Sequence, residues 1–255
     1  MPKNKNMKEK TTGKIQPQFQ RTEMLLGTQA MNALRSSHVA VFGVGGVGGY
    51  VVEALARSGV GALTLFDADV VAMSNVNRQI IALLSTVGRP KVEVAAERIA
   101  DINSDCKVEA RQIFYLPENA DEVNLEIFDY VVDCVDTVSA KLELLRRCQK
   151  LGVPIISCMG AANKMNPAAF RVADLSQTKV DPLAKIIRRK LRAEGILHAK
   201  VVFSEEEPMT PAQHGTSQRG NDEPRRSVPA SNAFVPPAEG LVAAAEVVRD
   251  LIVRA

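Results

Sequence analysis

A glycine-rich turn between an apolar strand and a helix constrains the fold of this 255-residue chain more than any other feature. The strand His38–Phe42 (HVAVF) runs directly into GVGGVGG and a helix over Tyr50–Ser58. Gly43, Gly45 and Gly48 have the spacing G-x-G-x-x-G. Glycine permits a tight turn here and lets backbone N–H groups approach phosphate oxygens, to which the helix N-terminus adds partial positive charge. The turn therefore predicts a nucleotide site, with a turn needed only for packing as the alternative.

Strands and helices alternate along the chain around this turn. Short helices are predicted over 20–34, longer helices over 92–102 and Ala140–Leu151, and further strands at Ala62–Phe66, 108–114 (VEARQIF), Asp129–Val135 and 154–159 (PIISCM). This alternation indicates an α/β fold: a Rossmann-like, mostly parallel sheet with helices on both faces and a ligand at the carboxyl edge of the strands.

The chain is predicted to divide into a leader and one domain. Residues 1–19 are basic and polar and read as a disordered leader, 20–160 as the nucleotide-binding core, and 161–255 as a C-terminal part of the same domain. The C-terminal part is predicted to contain a strand in 168–175, a basic helix over Pro182–Glu194, a strand at Lys200–Ser204, a mobile loop over 209–233 and a closing helix over 239–255 that packs on the sheet.

Composition excludes several classes of protein. The chain is 46% hydrophobic and 24% charged, as expected for an ordinary globular core. Its four cysteines include no CxxC pair, so neither a zinc site nor a disulfide framework is predicted. No apolar run reaches the roughly 18 residues of a membrane span. We therefore expect a cytoplasmic protein without stable membrane association. The net charge of +3 is too small to identify a nucleic-acid binder.

An acidic residue at the end of the second strand strengthens the nucleotide prediction. Asp67 lies 19 residues beyond Gly48, where a carboxylate can accept hydrogen bonds from ribose hydroxyls. The glycine turn and this acid do not distinguish among NAD, FAD and ATP.

Three charged residues favour ATP. Arg78 and Lys91 would sit near the phosphates, where a departing pyrophosphate needs positive charge, and Asp136 is an oxygen ligand suited to Mg²⁺. Taken singly, each has an ordinary explanation as a solvated cation or a helix cap. A non-catalytic NAD-binding sensor or redox partner is the alternative, and these three residues argue against it.

These motifs together resemble a known superfamily. GVGGVGG, LFDADVV, SNVNRQI, VGRPKVE and DCVDT occur in the order and spacing of the ubiquitin-activating-type adenylating enzymes of the ThiF/MoeB/HesA superfamily, over about 20–159. The resemblance implies a ThiF/MoeB-like adenylation fold, with 20–160 as the ATP-binding adenylation core and with ATP and Mg²⁺ as cofactors. The implied nucleotide-binding residues are Gly43, Gly45, Gly46, Gly48, Asp67, Asp69, Asn75, Arg78, Gln79 and Lys91. The implied catalytic residues are Arg21, Arg78, Lys91 and Asp136, the last of which would also bind the metal.

The resemblance also implies a homodimer. Arg21, in FQRTEMLLG, matches the arginine that this superfamily sends into the partner's active site, although it would otherwise be an ordinary helix residue. Two features of the superfamily are missing: the zinc-binding CxxC pairs and a cysteine in the crossover loop, since no cysteine follows Cys158. Both absences argue against transfer of sulfur or of a ubiquitin-like protein.

RTEMLLG, DLSQTKVDPLAKIIRRKLRAEGI and VVFSEEEP resemble a narrower group, the tRNA threonylcarbamoyladenosine dehydratases. This implies ATP-dependent dehydration of threonylcarbamoyladenosine at position 37 of tRNA, through adenylation of its carboxylate. Cysteine desulfurases or sulfur acceptors are candidate partners. The alternative is an adenylating enzyme for a ubiquitin-like sulfur-carrier protein.

The basic helix over Pro182–Glu194 fits a tRNA substrate. A run of cations is usually a solvated helix face. With tRNA implied by the resemblance, however, we expect these side chains to bind phosphates. The predicted tRNA-binding residues are Lys185, Arg188, Arg189, Lys190 and Arg192.

Overall fold

A computed structural model describes residues 16–212 and 229–254. Its strands are β1 (His38–Phe42), β2 (Ala62–Phe66), β3 (Lys107–Arg111), β4 (Tyr130–Asp133), β5 (Ile155–Cys158), β6 (Phe170–Asp174) and β7 (Lys200–Ser204). Its α-helices are α1 (Gln20–Leu26), α2 (Thr28–Ser36), α3 (Gly48–Arg57), α4 (Lys91–Ile102), α5 (Val138–Leu151), α6 (Pro182–Ala193) and α7 (Val235–Val253). The strands form one sheet in the order β3-β2-β1-β4-β5-β7-β6.

All strand pairings in the sheet are parallel except the one between β6 and β7. Phe42 at the end of β1 is in register with Phe66 of β2 and Asp133 of β4. The carboxyl ends of these three strands are therefore level. Because the chain order reverses between β1 and β4, a crevice opens at that point. The predicted Rossmann-like α/β fold is confirmed.

The sheet is covered by helices on both faces, which explains why the last four residues of β1, 39–42, are all apolar and buried. Val39 and Val41 pack into the cluster that contains residues of α3, α4 and α7. Ala40 and Phe42 pack into the cluster on the other face, with residues of α5. A third cluster joins α5 to α6.

The C-terminal part of the chain completes the same sheet. β5 pairs with β7, and the predicted strand in 168–175 is β6. The closing helix α7 packs on α3 and contacts four strands of the sheet, as predicted. Among the described residues, no helix combines the length and apolar character needed to cross a bilayer.

Three predicted boundaries differ from the structure by three residues or more. Helix α7 begins at Val235, not at 239, because prolines at its first turn have no intrahelical N–H bond to lose. Strand β3 ends at Arg111, not at 114, because its partner β2 ends opposite it at Phe66. The leader ends earlier than 19, since Pro17–Phe19 form a helical turn that buries Phe19. The rest of the leader (1–15), residues 213–228 of the predicted mobile loop, and residue 255 lie outside the described residues.

Candidate active site

A cavity of about 590 Å³ lies at the carboxyl edge of the strands, where the crevice was expected. Most of the predicted nucleotide and catalytic residues line it: Gly43, Gly45, Gly46, Asp67, Asp69, Asn75, Arg78, Gln79, Lys91 and Asp136. Two predicted residues do not line this cavity. Gly48 packs against the carbonyl of Gly43 outside the cavity, and Arg21 lies on α1.

The glycine turn forms one wall of the cavity. Gly43 has a positive φ of 86°, and a Cβ atom there would lie 2.8 Å from the carbonyl oxygen of Cys134. A Cβ atom on Gly48 would overlap the Gly43 carbonyl, so only glycine fits at both positions. Within the described residues, the N–H groups of Gly45 and Gly46 donate no hydrogen bond. They lie just before the N-terminus of α3 and are therefore suited to an anionic ligand.

Asp67 places a carboxylate in the cavity wall, where two backbone N–H groups hold it. Its carboxylate accepts hydrogen bonds from the N–H of Val44 at 2.7 Å and the N–H of Asp69 at 2.9 Å. Burial raises the pKa of Asp67, while nearby Lys91 acts in the opposite direction. These contacts orient the carboxylate between the glycine turn and the loop that follows β2 (67–72).

Lys91 places a buried positive charge beside Asp67 and Asp69. The side chain is 6% exposed, and Nζ lies 2.8 Å from Oδ2 of Asp69 and 3.9 Å from Oδ1 of Asp67. The backbone N–H of Lys91, at the start of α4, donates to the carbonyl of Asp69 at 3.0 Å. The isolated bridge between Val70 and Pro90 pairs the neighbouring residues. These contacts connect the start of α4 to the loop that follows β2 (67–72).

The polar segment after β2 forms the opposite wall. The Oδ1 atom of Asn75 accepts a hydrogen bond from the N–H of Ala72 and closes a tight turn. This turn positions Arg78, whose Nη1 donates to the carbonyl of Ser74 at 2.9 Å. A Cβ atom on Gly46 would lie 3.4 Å from Cγ of Arg78, so the arginine lies against the glycine turn.

Two polar groups of the cavity wall are available to a ligand. Gln79 is buried, and its Oε1 atom has no hydrogen-bond partner within the described residues. Asp136 follows β4, is exposed, and makes no hydrogen bond or ion pair in the described part of the chain. Among the described residues, no group of three or more His, Cys, Asp or Glu side chains could hold a metal ion. A Mg²⁺ ion here would need Asp136 together with phosphate oxygens, a ligand set that this ion commonly uses.

Sequence reasoning missed a buried ionic network beneath the cavity floor. Nζ of Lys141, in α5, lies 2.9 Å from Oδ2 of Asp133 and 2.7 Å from the carbonyl oxygen of Cys158. Burial disfavours the charged ammonium, but Asp133 outweighs it, and the pKa of Lys141 lies above its ordinary value. A lysine within the apolar face of a helix (140, 141, 144, 145 and 148) is the one sequence signal that could have revealed this pair.

A second buried pair connects the basic helix with the cavity. Asp181 caps α6 by accepting from the N–H of Ala184 at 2.9 Å. Its other carboxylate oxygen accepts from the N–H of Gly160 at 3.1 Å and from Nζ of Lys164 at 3.2 Å. Since Gly160 lines the cavity, one buried side chain joins the start of α6 to the cavity floor.

The five predicted tRNA-binding cations on α6 do not share one environment. Lys185, Arg189, Lys190 and Arg192 are exposed. Arg188 is half-buried and donates to the carbonyl of Thr178 at 2.7 Å and to its hydroxyl. Arg188 therefore fixes the turn before α6.

The fold and cavity define an α/β protein of the nucleotide-binding class, whose cavity combines the carboxylate of Asp67, the cations Arg78 and Lys91, and the exposed carboxylate of Asp136. A family model described as "ThiF family" matches residues 19–245. The chain is 48% identical over 240 residues to a tRNA threonylcarbamoyladenosine dehydratase of Bacillus subtilis (strain 168), covering 92% of this chain and 94% of that protein. The chain belongs to the ThiF family.

Solved structures with a similar fold include members of the same group of enzymes. The fold is similar to that of Escherichia coli tRNA N6-threonylcarbamoyladenosine dehydratase, TcdA, in complex with AMP, with a TM-score of 0.84 and 33% identity over 93% of this chain and 94% of that one. The complex of the same E. coli protein with ATP gives a TM-score of 0.81. MccB of E. coli, at 18% identity and a TM-score of 0.64, shares the fold.

Proposed function

We propose that this chain is an ATP-dependent dehydratase that cyclises threonylcarbamoyladenosine in tRNA by activating its carboxylate as an acyl-adenylate. The observation that carries the proposal is the convergence of Asp67, Arg78, Lys91 and Asp136 on one cavity beside the glycine turn. The relative from B. subtilis, matched over nearly its whole length, bears the corresponding name.

The first step transfers AMP to the substrate. The carboxylate of the threonyl group attacks the α-phosphorus of ATP, and pyrophosphate departs. Asp67 binds the ribose, and the N–H groups of Gly45 and Gly46 bind phosphate oxygens. Arg78 and Lys91 stabilise the negative charge that develops on the leaving group. Asp136 would hold Mg²⁺, which when bound neutralises phosphate charge.

The second step requires no nucleophile from the protein. The nitrogen of the substrate's carbamoyl group attacks the activated carbonyl carbon, a five-membered ring closes, and AMP leaves. Nucleophile and carbonyl belong to one molecule, and well-oriented intramolecular reactions reach effective concentrations of about 10⁵ M or more. The missing crossover-loop cysteine therefore accords with this chemistry.

We place the tRNA backbone along α6. Lys185, Arg189, Lys190 and Arg192 are exposed and supply the phosphate contacts, whereas Arg188 is occupied by Thr178. The buried link from Asp181 to Gly160 joins this helix to the cavity floor, which supports tRNA binding beside the proposed reaction site. Since ATP and tRNA are cytoplasmic, we place the protein in the cytoplasm.

We also propose a homodimer in which Arg21 enters the partner's cavity. Arg21 is exposed, and it makes no hydrogen bond or ion pair within 16–212 and 229–254. On the same helix, Met24 and Leu25 are each 82% exposed. Large apolar side chains grouped on a surface favour a protein–protein contact.

The alternative, an enzyme for a ubiquitin-like sulfur carrier, has weaker support. Molybdopterin-synthase adenylyltransferase of E. coli matches only 52% of this chain, at 39% identity. Sulfur-mobilising partners stay a prediction without a structural observation behind them.

The decisive experiment supplies the purified chain with ATP, Mg²⁺ and tRNA that carries threonylcarbamoyladenosine. We expect mass spectrometry of the nucleosides to show loss of one water, with one AMP released per product. The same tRNA without the modification is the matched control and should give no AMP. Pyrophosphate exchange stimulated by a carrier protein ending in Gly-Gly, and not by modified tRNA, would support the alternative instead.

A further inference from the structure

Two cysteine side chains meet at the floor of the nucleotide cavity. Cys134 follows β4 and Cys158 ends β5, and the register of Asp133 with Ser157 makes the two cysteines direct neighbours across the strands. Their Sγ atoms are 3.8 Å apart, and both residues line the cavity. The proposed dehydratase chemistry uses neither thiol.

The backbone geometry is compatible with a disulfide. Adjacent strands of a sheet are about 4.8 Å apart, and the Cα atoms of disulfide-bonded cysteines are typically about 4.4–6.8 Å apart. To form the bond, the two sulfurs must approach to about 2 Å. A modest movement of the Cys134 and Cys158 side chains and their strand ends would close the remaining gap.

The two thiols differ in access. Cys134 is half-buried at the cavity wall, whereas Cys158 is 2% exposed. The contact with Cys134 and burial both raise the pKa of Cys158. The nearby ammonium of Lys141 lowers it, but by less. Cys134 is therefore the thiol that a small oxidant in the cavity reaches first, and Cys158 is positioned to react with its oxidised form.

Cys134 also contacts the glycine turn. Its carbonyl oxygen and its Cβ lie 2.8 Å and 3.2 Å from the positions that Cβ atoms on Gly43 and Gly48 would occupy. This packing leaves no free space between Cys134 and the turn. A shift of Cys134 toward β5, away from the turn, would therefore remove the contact that supports Gly43 and Gly48 and would loosen the turn that holds the N–H groups of Gly45 and Gly46.

We propose that Cys134 and Cys158 form an oxidation site at which hydrogen peroxide produces a disulfide that weakens nucleotide binding. The Cys134 sulfur attacks one peroxide oxygen, the O–O bond breaks, and the products are a sulfenic acid and water. The Cys158 sulfur then attacks the sulfenic sulfur, and its oxygen leaves as a second water. In total, two thiols are oxidised, one peroxide is reduced, and two waters form. The inference goes beyond the dehydratase reaction and uses only the ATP-binding part of that proposal.

The test treats the full chain with hydrogen peroxide and maps its disulfides by peptide mass spectrometry. We expect a bridge between Cys134 and Cys158, with two of the four thiols lost. The ATP dissociation constant should rise at least about tenfold and return after dithiothreitol. Bound ATP should slow formation of the bridge, because it covers the cavity floor. Absence of this bridge, or equal ATP affinity of the bridged and reduced forms, would overturn the proposal.

Matched variants separate this site from general oxidation. In Cys134→Ser and in Cys158→Ala, the ratio of ATP dissociation constants after and before peroxide should stay near one. Cys106→Ser and Cys148→Ala should behave like the wild type, since these thiols lie outside the cavity. If the reduced wild type fails to bind ATP, the nucleotide proposal is wrong, and with it the predicted effect on binding. The peptide map and thiol count still decide whether the bridge forms.

Discussion

At the scale of single residues, Lys91 is a buried cation in the wall of the cavity. The ammonium is almost closed to solvent and lies within 4 Å of two carboxylates, Asp67 and Asp69. Removing it would leave the buried carboxylate of Asp67 without the cation that lies 3.9 Å from it. The electrostatic contribution of Lys91 should therefore be larger than that of a surface lysine.

We expect Lys91→Met to reduce turnover at least about 100-fold, the typical loss when one charge-stabilising group is removed from a reaction centre. AMP release under saturating ATP and modified tRNA measures the effect. Lys150→Met, an exposed lysine near the end of α5, is the matched control and should stay close to wild type. Near-normal turnover in Lys91→Met would exclude the proposed role.

Glu239 is the least expected buried residue of the molecule. It is fully buried in α7, and neither carboxyl oxygen has a hydrogen-bond partner within the described residues. Burial raises the pKa of Glu239 from 4.5 to about 8. Lys141 and Lys164 act against this shift. Asp181 acts with it.

This shift predicts a pH dependence of stability. Between pH 4.5 and about 8 the unfolded chain loses the Glu239 proton while the folded chain keeps it, so stability from this group is lost as pH rises. The largest slope for one proton is about 1.4 kcal/mol per pH unit. Glu239→Gln removes the titration, so the free energy of unfolding of the variant should gain on that of the wild type up to about pH 8.

Urea unfolding of both proteins at several pH values across this window measures the difference. Glu122→Gln, at an exposed glutamate, serves as the matched control for a lost surface carboxylate. Parallel stability curves for Glu239→Gln and the wild type would show that Glu239 ionises normally in the folded chain.

At the scale of elements, α6 carries two kinds of cation, which should separate by experiment. Lys190→Glu should weaken tRNA binding, reduce its salt dependence, and leave the ATP dissociation constant unchanged.

Arg188→Ala should instead lower the free energy of unfolding by about 1–3 kcal/mol, because it leaves the carbonyl of Thr178 without its charged donor. Filter binding at several salt concentrations and urea unfolding measure the two effects. Equal loss of ATP and tRNA binding in Lys190→Glu would mean that α6 is only structural.

The elements also show what a sequence can predict. The glycine turn and Asp67 were placed correctly because their residue types sit at fixed distances from the ends of strands. The start of α7 was predicted four residues too late, since the helix begins at Val235 and takes two prolines into its first turn, where proline is tolerated. The link from Asp181 to Lys164, in contrast, joins separate segments. Nothing in the sequence distinguishes that lysine from a solvated one, since only the fold brings its partner near.

At the scale of the whole molecule, the proposed homodimer places each cavity under the control of two chains. The exposed Met24 and Leu25 lie one turn after Arg21 on the same face of α1, so one contact would bury the apolar side chains and bring the arginine to the partner. Sedimentation should show a dimer for the wild type and a monomer for Met24→Asp combined with Leu25→Asp. A monomeric wild type with full activity would contradict the arrangement.

Mixing two inactive variants tests the shared cavity directly. In a dimer of Arg21→Ala with Lys91→Ala, one cavity lacks both groups, while the other has Lys91 from one chain and Arg21 from its partner. Random reassociation of equal amounts in a twofold-symmetric dimer makes half of the dimers mixed, so about a quarter of wild-type turnover should return. Arg78→Ala mixed with Lys91→Ala is the matched control: both residues line the same chain's cavity, so no cavity becomes complete. No recovery in the test pair would show that Arg21 acts within its own chain or not at all. Recovery in the control would show that Arg78 and Lys91 do not serve the same cavity.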